Sequence, residues 1–474
     1  MPIIWSGQPA ALADSKWSGI AGSFFKSIGI NFHDTPGLIQ IHQKLSINSG
    51  ATVSEFVKVA LSLSTGYSIW FSADTGKIWA RSSGGTWTLA DTATAAAGGV
   101  TCLGAMEYDS FVYWATESRL HRVTIAGADD TWAAAAITRN FATFTKTDAS
   151  FHPMAIQDLT LFIGDANLVA SVNSAGTFDD NVLDLNEPHR IRTMIPYEID
   201  LLIGTWIATT VSRAAVIRWD TVSPSWNSYD EVNEVGVNAF IRDDNFVYAQ
   251  CGLAGRIYFY NGEKLEPYKR IPGTWSSTQY GEVFPYSVGT YKGLPVFGFS
   301  NGSGNPTEQG VYTLGSYSRD YPKVLDLSFV NSQDKTATQE IGAIIVENFN
   351  LMVAWKDGAN YGVDAISTTQ KYASASLQTT MLFQDQRDIL KTIEGVFALY
   401  ETLPSGTSIT FAYAVNHGAY VSMTSIDDTL KNEVRAELSV PDIGALQIRL
   451  TFGVSSNDAP TLEGIGIKLA NEET

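Results

Sequence analysis

Apolar residues along this chain recur at strand spacing, in short runs separated by turn residues. In "FVYWA", Phe111, Tyr113 and Ala115 point one way and Val112 and Trp114 the other, the period-2 signature of a strand. Apolar residues occupy both sets of positions, so such a strand is expected to be covered on both faces. No long window carries helical periodicity. Only "PAALADSKW" near the start and "SIDDTLKNEV" at 425–434 read as short helical pieces.

The runs repeat as an apolar strand, a short turn, an aromatic-rich strand, a gap and a third strand of the form small-x-Ile-aromatic. "VKVALSLSTGYSIWFSADTGKIWARSSGGTWTL" and "VNAFIRDDNFVYAQCGLAGRIYFYNGEKLEPY" are two of seven such segments. Ile78, Leu120, Leu168, Ile217, Ile257, Val311 and Tyr361 are the equivalent third-strand anchors, 40 to 54 residues apart. That is the size of a four-stranded propeller blade, and one such meander cannot bury both its faces alone. The pattern predicts an all-β protein: a seven-bladed β-propeller, with six or eight blades as the nearest alternatives, over residues 50–378. Residues 1–49 form an N-terminal arm whose end, "GLIQIHQKLSI", is expected to supply the ring-closing outer strand. From residue 379 to 474, six or more short strands joined by turns such as "LPSG" and "NDAP" predict a jelly-roll-like β-sandwich.

Composition narrows the function classes. The 474 residues include 12 Trp, 20 Tyr and 23 Phe, only 17% are charged, and the formal net charge is −18. Such acidity opposes direct binding to a phosphate backbone. No apolar run reaches the roughly 20 residues that span a bilayer, and the start lacks the basic and apolar regions of a secretion signal, so synthesis in a cytoplasm without membrane insertion is expected. Cys102 and Cys251 lie in strand-like runs and read as buried thiols.

Two stretches carry a resemblance. "SIGINFHDTPGLIQIHQKLSINSGATVSEFVKVALS", running into "DTGKIWARSSGGTWTL", resembles the N-terminal part of propeller-like structural proteins of tailed bacteriophages. "GTSITFAYAVNHGAYVSM" through "LQIRLTFGVSSNDAPTLEGIGIKL" is similar to the β-sandwich that ends many phage tail proteins. The resemblance is one of pattern, without a fingerprint motif. It implies a virion protein of the tail region, a tail- or neck-associated ring or adaptor working through contacts with other virion proteins and copies of itself. It implies no catalytic residues and no cofactor.

The competing reading is a glycan-binding or sialidase-like glycan-cleaving propeller. It starts from Ser72-Ala73-Asp74-Thr75-Gly76, which matches the Ser-x-Asp-x-Gly turn of sialidase-type blades. That order appears once. Asp74 is therefore expected to be a turn residue whose carboxylate accepts from nearby amides, with Gly76 at positive φ. Cleavage would also need paired carboxyls, or a Tyr–Glu pair beside an arginine clamp. The first-to-second strand corners contain one arginine, Arg242, and at most weak glycan contact is expected there. They also contain Glu107, Glu198, Asp243 and Glu347, the candidate acidic channel mouth, suited to a cation or a basic segment. The six histidines show no metal-ligand spacing, so no metal site is expected. Trp87, Trp132, Trp226 and Trp275 follow third strands and are expected to pack between blades. Trp5, Trp17, Phe24 and Phe25, outside the ring, are the candidate interface residues.

Overall fold

The computed structural model describes residues 3–6, 24–35, 38–92, 100–207, 212–244, 246–273, 275–276, 280–303, 308–316, 323–333, 338–382, 391–423, 425–430 and 433–469. The chain forms two compact units. One comprises Ile47–Gln309 and Lys335–Ala365, the other Met1–Ser46, Gly310–Asp334 and Ile366–Thr474.

The first unit is a six-bladed β-propeller. Blade 1 is the antiparallel meander Val57–Ser62, Ser68–Ser72, Lys77–Arg81 and Trp87–Thr92. Blades 2 to 5 repeat it, starting from the first strands Gly104–Tyr108, Met154–Gln157, Arg190–Tyr197 and Val237–Asp243. Blade 6 uses Gln339–Glu347, Asn350–Asp357 and Asn360–Lys371. At its outer edge the amides of Asn48 and Ser49 donate to the Val363 carbonyl (2.8 and 3.2 Å), so the segment entering this unit at Ile47 lies alongside the last strand.

Six blades, not seven, correct the count read from the anchors. Ile78, Leu120, Leu168, Ile217, Ile257 and Tyr361 each fall on the third strand of a blade. Val311 does not, because its strand, Gly310–Gly315, belongs to the other unit. The remaining repeat is represented in the propeller by a long hairpin, Tyr280–Tyr291 and Leu294–Ser303. That hairpin is fastened on both sides: Val283 N donates to Gln250 Oε1 of blade 5 (3.1 Å), and Ser300 Oγ exchanges hydrogen bonds with Ile341 of blade 6 (2.8 and 2.9 Å). Strand periodicity is the same whichever unit a strand belongs to, so the pattern alone cannot exclude Val311 from the ring.

Burial explains the near-continuous apolar runs. Ser68–Ser72 and Leu168–Val172 are buried at every position, whereas the outer strand Phe178–Asp184 is largely exposed. Inner and middle strands are covered on both faces by neighbouring blades, and each apolar cluster joins two of them. Phe71 and Ile78 of blade 1 share one cluster with Val112 and Trp114 of blade 2, and Phe162 of blade 3 shares another with Ile203 and Trp219 of blade 4.

The second unit holds two groups of strands and is β-sandwich-like. One sheet runs Ile3–Ser6, Leu462–Leu469, Lys391–Tyr400, Glu433–Ile443. The other contains Val324–Phe329, Phe24–Ile28, Ser376–Thr379, Leu446–Gly453 and Ser408–Val415 in that order. The unit therefore draws on three stretches of chain in addition to the region from 379 onward. Its pairing of Ile28 with Leu327 is parallel, which departs from an all-antiparallel jelly roll.

Candidate functional site at the two ends of the inner strands

At one end of each blade the first strand turns tightly into the second. Asp109-Ser110, Asp158-Leu159 and Asn348-Phe349 all have both residues at positive φ, the two-residue turn that matches strand twist. The four acids singled out in the sequence lie at or beside these corners, and each is tied down. Glu107 accepts from the Ser64 amide of blade 1 (2.8 Å). Glu198 is exposed and 3.5 Å from Arg218. Asp243 is buried at the end of its strand. Glu347, also buried, is bridged by Arg81 of blade 1 (2.7 Å) and approached by Ser68 Oγ (3.4 Å). Burial pushes the Glu347 carboxyl above the usual range, against the opposing effect of Arg81. Glu107 and Glu347 thus tie neighbouring blades together, Glu198 pairs within its own blade, and among the described residues no three His, Cys, Asp or Glu side chains gather to hold a metal ion.

The corners also bind one another. Tyr108 Oη donates to the Leu159 carbonyl (2.6 Å) and Gln157 Nε2 to the Glu198 carbonyl (3.2 Å). Bulky apolar side chains project from corners at this end of the blades: Leu159 is 81%, Ile199 73% and Phe349 96% exposed. Sequence reading attended to the acids here and passed over these residues. The signal was a large apolar residue where such turns favour Asn or Gly.

The Ser72–Gly76 turn corrects a second expectation. Gly76 has φ +76°, but the hydroxyl of Ser72, not the Asp74 carboxylate, accepts from the amides of Asp74 (2.9 Å) and Thr75 (3.1 Å). Ser72 Oγ in turn donates to Glu55 (2.5 Å), which also accepts from Thr75 and pairs with Lys77. The shorter side chain, two residues earlier, reaches both amides.

Other residues fall as follows. Trp132 packs against Phe71 of blade 1 and Trp114 of blade 2, Trp87 against Trp70, Trp226 against the cluster joining blades 3 and 4, and Trp275 edge-on to Phe299. Cys102 and Cys251 are buried free thiols whose pKa values burial pushes up. Phe24 corrects the interface list: it is buried and stacked on Phe32, with centroids 4.6 Å apart, and so belongs to a core. Phe25 is half-buried, and the backbone of Trp5 pairs with Ile465. Trp17 lies outside the described residues.

At the other end of the inner strands lies a cluster the sequence reading did not find. The pairing of the first strand with the second slips at Lys58 in blade 1 and at Arg192 in blade 4, a β-bulge in each case. A bulge re-aims the side chain at the irregular position. Lys58 Nζ stands 4.5 Å from the Phe284 ring centroid and 5.5 Å from that of Phe56, and the Arg192 guanidinium is 5.0 Å from that of Phe151. The three rings form one buried group. Arg192 pairs with Glu282 (2.5 Å) and Lys356 with Glu340 (3.2 Å). In the sequence, "FVKVA" and "RIRTM" read as ordinary strand, because a cation between its neighbours fits period-2 alternation and carries no sign of the bulge.

Together these blades define the class of the larger unit as a β-propeller. No family model matches the chain, and no curated protein matches it. Among solved structures it is similar to the extracellular domain of a hybrid two component system from B. thetaiotaomicron, with TM-score 0.46 and 14% identity over 77% of this chain. This chain spans 44% of the length of that protein. It is also similar to virginiamycin B lyase from Staphylococcus aureus (TM-score 0.49, 10% identity, 68% of this chain and 99% of that one) and to the Dos1 propeller (TM-score 0.44, 12% identity, 70% and 96%).

Proposed function

We propose that the protein is a structural component of a tailed-phage particle, a ring or adaptor of the tail or neck region that works by subunit contacts without catalysis. The observation that carries this reading is the rim of exposed Leu159, Ile199 and Phe349. Exposed apolar groups on tight turns at one end of the blades favour burial against a partner. Leu159 and Phe349 also hold positive φ (+58° and +61°), a conformation that costs a residue with Cβ about 1–2 kcal/mol. Backbone strain of this kind marks sites kept for function. The competing reading is a glycan-cleaving propeller, for which the corner acids would have to be free to titrate against substrate, whereas Glu107 and Glu347 are engaged with neighbouring blades.

The test is incorporation. Phage carrying Leu159→Ser, Ile199→Ser and Phe349→Ser together should assemble particles that lack the protein in quantitative mass spectrometry, while the purified variant stays folded. Normal incorporation, or glycan turnover by the purified wild-type protein that Glu107→Gln or Glu347→Gln abolishes, would overturn the reading.

A further inference from the structure

We propose that the bulge residues Lys58 and Arg192 form a binding site for a small carboxylate, walled by the buried rings of Phe56, Phe151 and Phe284. Charge accounting leads to it. Of the three cations in the cluster, Arg192 and Lys356 have carboxylate partners, whereas Lys58 makes no hydrogen bond or ion pair among the described residues. Arg192 is itself only 8% exposed, and its Nε is buried without an acceptor. A half-buried cation without a counter-ion and a buried N–H without an acceptor are each costly, and one anionic group reaching both would relieve both.

The cluster also sets the ligand's charge. Three cations against Glu282 and Glu340 leave one net positive charge, which suits a monoanion. A dianionic phosphate would meet the two carboxylates at close range. A neutral ligand would leave Lys58 as it is. Phe56, Phe151 and Phe284, only 2%, 6% and 5% exposed, give the anion site an apolar wall. Entry is from the side of Glu282 and Lys356, whose side chains keep 28% and 32% exposure. Burial lowers the Lys58 pKa; Glu340 and Glu282 oppose that effect, and Arg192 and Lys356 add to it.

Calorimetric titration of the full chain with benzoate and glucuronate, against benzamide and glucose, tests the site and separates an aryl acid from a sugar acid. At least one acid should bind with a Kd below about 1 mM and one-to-one stoichiometry, its neutral counterpart at least about tenfold more weakly. Lys58→Met should weaken the acid at least about tenfold while the thermal unfolding curve stays in place. A measurement on the wild type covers the case in which that variant does not fold: with lysines ¹³C-dimethylated, which keeps their charge, the Lys58 resonance should move on adding the bound acid. The proposal is overturned if neither acid saturates by about 10 mM, if the neutral counterparts bind equally, if folded Lys58→Met binds like wild type, or if the Lys58 resonance stays still while heat is released.

Discussion

Ser72 holds the corner of blade 1 by accepting two amides while donating to Glu55. Ser72→Ala removes all three bonds and leaves a buried carboxylate short of a donor, so a loss of about 1–3 kcal/mol is expected, read as a lower urea midpoint at unchanged slope. Asp165 gives a pH-dependent counterpart. Fully buried, it accepts from the Lys146 amide (2.9 Å), and burial pushes its carboxyl up to about 6, against the amides of Lys146 and Thr145. A raised folded pKa means the native state holds the proton more tightly than the unfolded chain. The contribution of Asp165 is therefore full below the unfolded value near 4 and is lost as pH rises to about 6. Asp165→Asn should gain about 1–2 kcal/mol relative to wild type between pH 4 and pH 7. A gap that does not change with pH would show that Asp165 keeps its ordinary pKa. At this scale the sequence is legible where a residue type has one habitual job. The four tryptophans after third strands do pack, and the cysteines are buried. It is illegible where two short polar residues compete for one turn, as Ser72 and Asp74 do, or where a bulge redirects Lys58 and Arg192, because a slip in pairing leaves no mark in residue order.

Blades approach one another most closely through glycine. A Cβ on Gly104, in the first strand of blade 2, would collide with the His152 carbonyl ahead of blade 3, and one on Gly342 of blade 6 with the Val57 carbonyl of blade 1. Gly104→Ala has backbone, not a flexible side chain, in its way and is expected to destabilise by about 2 kcal/mol or more in thermal unfolding. The turn rim behaves in the opposite sense. Phe349→Gly relieves the positive φ and should stabilise the isolated protein by about 1 kcal/mol or less, because glycine's greater freedom in the unfolded chain offsets part of the gain. The same substitution should weaken incorporation into particles. Stabilisation together with unimpaired incorporation would mean that the phenyl has no partner. Strand existence and type were readable from period-2 runs almost throughout, as was the strand, turn, strand order of each blade. Unit membership was not: Gly310–Gly315 and Tyr280–Tyr291 carry the same alternation, yet they belong to different units.

For the whole molecule, the repeat indicated a closed ring of blades because single meanders cannot bury both faces, and the inter-blade clusters show that burial directly. The second unit is less legible, since strands from near the start, the middle and the end of the chain join it and long-range pairing has no local signature. The rim of the propeller and the cation–aromatic cluster lie at opposite ends of the inner strands, so an assembly contact at one leaves the other open to a small ligand. The central claim is that the rim is a subunit contact within a phage particle. Cryo-electron microscopy of purified particles tests it most directly. The expected result is a multi-copy density fitting the six-bladed unit, with Leu159, Ile199 and Phe349 buried against a neighbouring subunit. Particles that lack the protein, or contain it with that rim facing solvent, would contradict the account.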